Sequence, residues 1–280
     1  MGLGGPASAR ANFARSDPAP NTRLANAPGR VLVGFSERIQ VAGSGLELFD
    51  GEGRSVTKGA VATGDPAELT LPLPPLGPGT YAVAWHTVSA QDSAAAKGYF
   101  AFAVGPVPPN GGTTSASSLT RAGITAQLGI APFEAGENMY SVTVQRSGTP
   151  LPNVTGVRLR FAPQARDIGE TEAVLRAQGG AFGGTGMELP FGGPYRVDVR
   201  VARSDSSDEL EFSFLQTLPL AASPAPATPA PSGATPSASL VAGASPAPAG
   251  GDNGGALLAL ALAAGVLLLI GVLGFARRRA

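Results

Sequence analysis

One imidazole, a nearby carboxylate and no thiol define the side-chain chemistry open to this chain. His86 is the only histidine among 280 residues, and Asp92 follows six positions later in WHTVSAQDSAAAKG, residues 85 to 98. Imidazole nitrogen and carboxylate oxygen are donors that suit a divalent transition metal. Acid–base or serine-based catalysis would have to run through His86 alone. No nucleophile elbow surrounds it, and no Walker or GxGxxG loop opens a helix, so the chain is not expected to be an enzyme. Met139 and Met187 carry thioethers, but they stand about fifty residues apart outside any Met-rich or His-rich tract and read as core fillers. Asp208 and Glu209, in SDSSDELE, read as solvated carboxylates of a polar turn. The absence of cysteine excludes thiolate metal sites, disulfides and cysteine nucleophiles, and leaves the compartment open.

The elements that must position His86 and Asp92 are strands. With 39 Gly and 26 Pro the chain is broken too often for long helices, so it is expected to be all-β. Twenty basic and twenty acidic residues cancel, and no basic patch with interleaved aromatics is present, so nucleic acid is not an expected partner. Period-2 runs bounded by turn residues place strands at 30–36, 45–49, 68–73, 80–88 and 98–104, with turns at DGEG (50–53) and PLGPG (75–79). Along 80–88, Tyr81, Val83, Trp85 and Thr87 share one face, and Ala82, Ala84, His86 and Val88 share the other. With Trp85 in the core, His86 points outward, as a surface histidine or a weak ligand. Asp92 falls in the following loop, as a turn cap or a ligand.

Composition divides the rest. Ala256 to Ala276 is a run of twenty-one residues without a charge. At about 1.5 Å per residue it crosses roughly 30 Å of hydrocarbon. It is expected to be a single transmembrane helix. Arg277, Arg278 and Arg279 follow at once, which places the 277–280 tail in the cytoplasm and the rest outside it. Residues 218–255 form a Pro, Ala and Ser tract too poor in apolar side chains to bury a core, expected as an extended stalk. Residues 106–118 read as a shorter linker. Residues 1–12 contain GPASARA, which resembles the small-residue end of a signal peptide, so the start codon is expected upstream, with cleavage near Ala9.

The first β-rich segment, residues 13–105, carries an ordered set of motifs: RSDPAPNTRL (15–24), Ala27-Pro28, VGFSE (33–37), LGPGTYAVAWHTVS (76–89) and GYFAFAV (98–104). This set resembles the CopC copper-resistance domain. The resemblance implies an Ig-like β-barrel outside the cytoplasm and copper, as Cu(II), as the cargo. It also implies the ligand positions: an N-terminal histidine, and an aspartate with a histidine in the loop after the V-S-A strand end. Here Arg10 stands at the first histidine position, Asp92 at the aspartate and Ala94 at the second histidine. Two guanidinium or ammonium groups, Arg10 and Lys97, offer no lone pair in return. The candidate metal residues are therefore Asp92 and His86.

The second segment, 119–217, places strands at 123–130, 139–145, 157–161, 171–176, 187–189 and 195–201, and an Ig-like or Greek-key β-sandwich is the natural inference. APFEAGENMY (131–140), VRLRF (157–161) and FGGPYRV (191–197) are similar to a YtkA-like domain, with Pro132, Gly136, Asn138 and Gly193 as its best residues. Such domains occur beside CopC and CopD modules, which implies a CopD-type copper permease as a partner. Two functions follow: a membrane-anchored protein of copper homeostasis or transport, or a CopC-fold structural and interaction module that has lost its high-affinity Cu(II) site.

Overall fold

A computed structural model describes residues 10–107 and 113–220. The expected anchor at 256–276, residues 1–9 of the expected arm and residues 221–255 of the expected stalk lie outside the described residues, and Leu218, counted with that stalk, is the buried last residue of the final strand. Among the described residues, every regular element of appreciable length is a strand. The first module contains β1 (Phe13–Asp17), β2 (Arg23–Leu24), β3 (Arg30–Phe35), β4 (Gly45–Asp50), β5 (Ser55–Gly59), β6 (Val61–Ala62), β7 (Glu68–Pro72), β8 (Gly79–Val88) and β9 (Ala95–Val104). They form two sheets, ordered β1-β3-β7-β6 and β2-β9-β8-β4-β5. Alternate residues of each strand meet between the sheets: Val31 and Val33, Leu46 and Leu48, Leu69 and Leu71, Tyr81, Val83 and Trp85, and Phe100 and Phe102. The β4–β5 turn is held by Asp50, whose Oδ1 accepts the N–H groups of Glu52 at 3.0 Å and Arg54 at 2.8 Å.

The second module contains β10 (Ser115–Arg121), β11 (Ile124–Ala131), β12 (Gly136–Arg146), β13 (Thr149–Pro150), β14 (Val154–Pro163), β15 (Thr171–Gln178), β16 (Ala181–Leu189), β17 (Gly193–Arg203) and β18 (Ser206–Leu218). Eight of them run in one sheet, β10-β11-β12-β16-β15-β14-β17-β18, and β13 adds to β12. This is a nearly closed, barrel-like sheet and not a pair of separate layers. Its two ends are stitched by Gln216, which accepts from Ser115 Oγ at 2.9 Å and donates to Ser117 Oγ at 2.8 Å. Tyr140, Phe161, Val197, Val199 and Phe212 fill the interior.

Three sequence expectations change. The 106–118 linker ends early, because Ser115–Ser118 already pair with β11 through the backbone. The turn read over SDSSDELE is confined to Ser204 and Asp205, while Asp208 and Glu209 lie in β18 and Glu209 pairs with Arg158. Met187 is a buried filler, but Met139 is 59% exposed on β12 and fills no core.

At Ala82 and Ala84 of β8 and from Tyr99 to Ala103 of β9 the outer face is a junction and not a solvent face, while His86 and Lys97 farther along it stay exposed. Ala82, Ala84 and Tyr99 share a core with the second module, and Ala101 and Ala103 pack on Met187. Small side chains on that face allow the approach. Both modules accordingly belong to one compact unit. Backbone meets backbone at its edge, where Gly98 of β9 bridges Glu170 in parallel. Arg166 lies over the rings of Phe49 and Phe191, 5.4 and 5.3 Å from their centroids, and seals the same seam.

Candidate functional site

The N-terminal arm, the end of β8 and the β8–β9 loop gather at one end of the first module. Thr87 Oγ1 donates to the Ala11 carbonyl at 2.7 Å, and Ser36 Oγ donates to the Arg10 carbonyl at 3.1 Å. These bonds fix the arm against β8. The loop is equally tied down: the Ser89 N–H donates to the Ala94 carbonyl at 2.9 Å, and Gln40 Nε2 donates to Ser89 O and Ser93 Oγ, each at 3.0 Å. Ser93 takes the left-handed conformation, φ 60°, that closes so short a turn.

Asp92 is exposed at this loop, and its Oδ1 accepts the Ala94 N–H at 2.9 Å. It therefore serves as the turn's cap. His86 is exposed on β8, opposite Lys97 of β9 and Gly45 of β4. Its ring lies over Gly45, where an added Cβ would stand 2.6 Å from Cε1, so a side chain at 45 would displace the imidazole.

A cleft of about 1520 Å³ opens between the modules here, and Arg10, His86 and Lys97 line it together with Arg160, Arg166 and Glu170. Asp92 and Ala94 do not line it. The structure thus brings Arg10 and His86 to one cleft and leaves Asp92 beyond its rim. The charges are largely matched: Lys97 pairs with Asp167, and Glu170 accepts from Arg160 at 3.1 Å and Arg196 at 2.7 Å. Such exposed pairs fix geometry more than they stabilise, each contributing about 0–1 kcal/mol.

These residues do not fit a tetragonal Cu(II) centre. Such a centre takes several nitrogen or oxygen donors around one point, and here one imidazole faces Lys97 while the carboxylate caps its own loop. Among the described residues, no group of three or more His, Cys, Asp or Glu side chains could hold a metal ion. What the sequence reading missed is the junction itself. Gly98, Gly169, Glu170, Asn21 and Glu188 meet only in three dimensions, and the one local hint is a lone acid in the apolar stretch GMELPF, residues 186 to 191.

Comparison with known proteins agrees with the first module's boundaries. The CopC domain family matches residues 13–105. Protein YobA from Escherichia coli strain K12 is 31% identical over 99 residues, which cover 34% of this chain and 79% of that protein. Among solved structures, CopC from Methylosinus trichosporium OB3b is 29% identical and aligns over 35% of this chain and 97% of its own, with a TM-score of 0.33. PcoC, a methionine-rich copper resistance protein from Escherichia coli, is 27% identical over 34% of this chain and 99% of its own, with a TM-score of 0.30. With the motifs and the two-sheet barrel in agreement over the residues that the family matches, and a relative 31% identical over 79% of its own length, the chain belongs, through its first module, to the CopC domain family.

Proposed function

We propose that the chain acts in copper homeostasis outside the cytoplasm, as a membrane-tethered, non-enzymatic protein of CopC type. The observation that carries this reading is the CopC domain over residues 13–105, with its barrel core in place and Ala11 bonded to Thr87. The uncharged run 256–276 with Arg277–Arg279 behind it supports the tether and the orientation. The second module is read as YtkA-like. Its best motif residues are structural: Asn138 is fully buried and donates to the carbonyls of Glu134 at 2.8 Å and Gly136 at 3.1 Å. Gly136 and Gly193 hold φ of 117° and 122°, which favours glycine. A CopD-type permease is the partner that this pairing of modules implies.

A second reading is favoured by Arg10, Ala94 and Asp92, whose carboxylate caps its own loop. In it the CopC fold works as an interaction module and copper is handled by the partner. Cells lacking the chain separate the readings from an unrelated role. Their tolerance to copper is expected to shift at least about tenfold more than their tolerance to zinc or nickel, and the full chain restores it. Unchanged copper tolerance removes copper homeostasis as the function. Restoration by the chain only when the permease gene is also present favours the interaction module.

A further inference from the structure

One margin of the junction is closed by polar groups. Asn21, exposed in the turn between β1 and β2 with φ 61°, spans the seam with its amide. Its Nδ2 donates to Glu188 Oε1 at 3.0 Å, and its Oδ1 accepts the backbone N–H of Met187 at 2.7 Å. Tyr99 of β9 adds a hydroxyl donated to the Glu188 carbonyl at 2.7 Å. Glu188 itself, in β16, is only 6% exposed. Its Oε2 is buried without a hydrogen-bond partner. The residue borders a cavity of about 270 Å³ walled by Phe13, Trp85, Phe100 and Met187. An ionised carboxylate with one oxygen unserved in such surroundings is costly, whereas the neutral acid carries no charge to desolvate.

We infer that Glu188 is a proton-operated latch between the two modules: as the neutral acid it lets Asn21 close the seam, and as the carboxylate it draws in water and loosens that contact. Burial pushes the Glu188 carboxyl above the ordinary glutamate range, against the smaller opposing pull of the Asn21 amide, the backbone and the nearby Tyr140 hydroxyl. The titratable groups facing it are Tyr99 of β9, Tyr140 of β12, Glu170 before β15 and Glu172 in β15. Tyr195 of β17 acts on Tyr99. Burial drives all three phenols upward, so they stay neutral across the acid-to-neutral range. Glu170 is held by Arg160 and Arg196, and Glu172 stands 3.8 Å from Arg158. The closed junction therefore binds the Glu188 proton more tightly than the open one. Its contribution is complete below the ordinary glutamate value and is lost as pH rises through the raised one.

Amide hydrogen exchange at Met187 in the full chain, corrected for the intrinsic chemical rate, reads this latch. Between about pH 4 and about pH 7.5, protection is expected to fall by up to about tenfold per unit over the interval separating the two values. Glu188→Gln, a neutral isostere, is expected to remove that dependence. Flat protection in the unsubstituted chain, or an equal fall in Glu188→Gln, overturns the latch. Should Glu188→Gln fail to fold, the carboxyl carbon shift of Glu188 in the unsubstituted chain decides: titration above the ordinary glutamate range upholds the proposal, and titration at or below it overturns it.

Discussion

Replacing Gly169 with alanine is expected to undock the two modules and to cost the protein about 4 kcal/mol or more. Gly169 holds φ of 83°, and a Cβ built there would stand 2.6 Å from both C and O of Lys97 and 2.7 Å from N of Gly98. All three atoms are backbone of β9, so no rotamer change relieves the clash. The left-handed conformation alone accounts for about 1–2 kcal/mol. The remainder comes from parting the Gly98–Glu170 bridge and exposing Ala82, Ala84 and Tyr99, which the second module covers. Gly179 is the control: it also has a positive φ, 54°, but a Cβ there meets nothing within 4 Å. Gly179→Ala should therefore show the conformational cost without the clash. Denaturant unfolding followed through Trp85 fluorescence, with a proteolysis time course on the junction, measures both. A Gly169→Ala loss no larger than that of Gly179→Ala would mean that the modules do not depend on this approach.

The second large effect is a gain. Arg10→His combined with Ala94→His is expected to raise Cu(II) affinity at least about a hundredfold, or about 2.7 kcal/mol. The resemblance to the CopC domain marks these two positions as those of its histidines, and the structure holds both segments at the same end of the barrel. Thr87 ties the arm at Ala11, and the Ser89–Ala94 contact ties the loop. The exchange also removes the Arg10 guanidinium. Asp92 would have to yield its bond to the Ala94 N–H, which sets part of the cost. Electron paramagnetic resonance should then report at least two nitrogen ligands. An unaltered spectrum and affinity would show that the arm and the loop do not converge.

Much of the first module was legible because its strands bury one face and alternate cleanly. The expected strand at 80–88 is β8 to within a residue, and Trp85 in the core puts His86 on the other face, where it is exposed. Edge strands were not legible. FARSD in β1 and SASSLTR in β10 bury little and pair through backbone atoms that carry no side-chain signal. The outer face of β8 misled for a related reason: Ala82 and Ala84 suit solvent and a close junction equally, and only the second module decides between them. The same holds for Glu188, whose environment is assembled by Asn21, 167 positions away.

Cu(II) titration of the full chain, read by electron paramagnetic resonance, tests the central claim that this CopC-type protein carries its fold without the family's chelate. One weak site with at most one coordinated nitrogen is expected, no tighter than a single exposed histidine. A tight centre with two or more nitrogens, lost on Asp92→Ala, would contradict it.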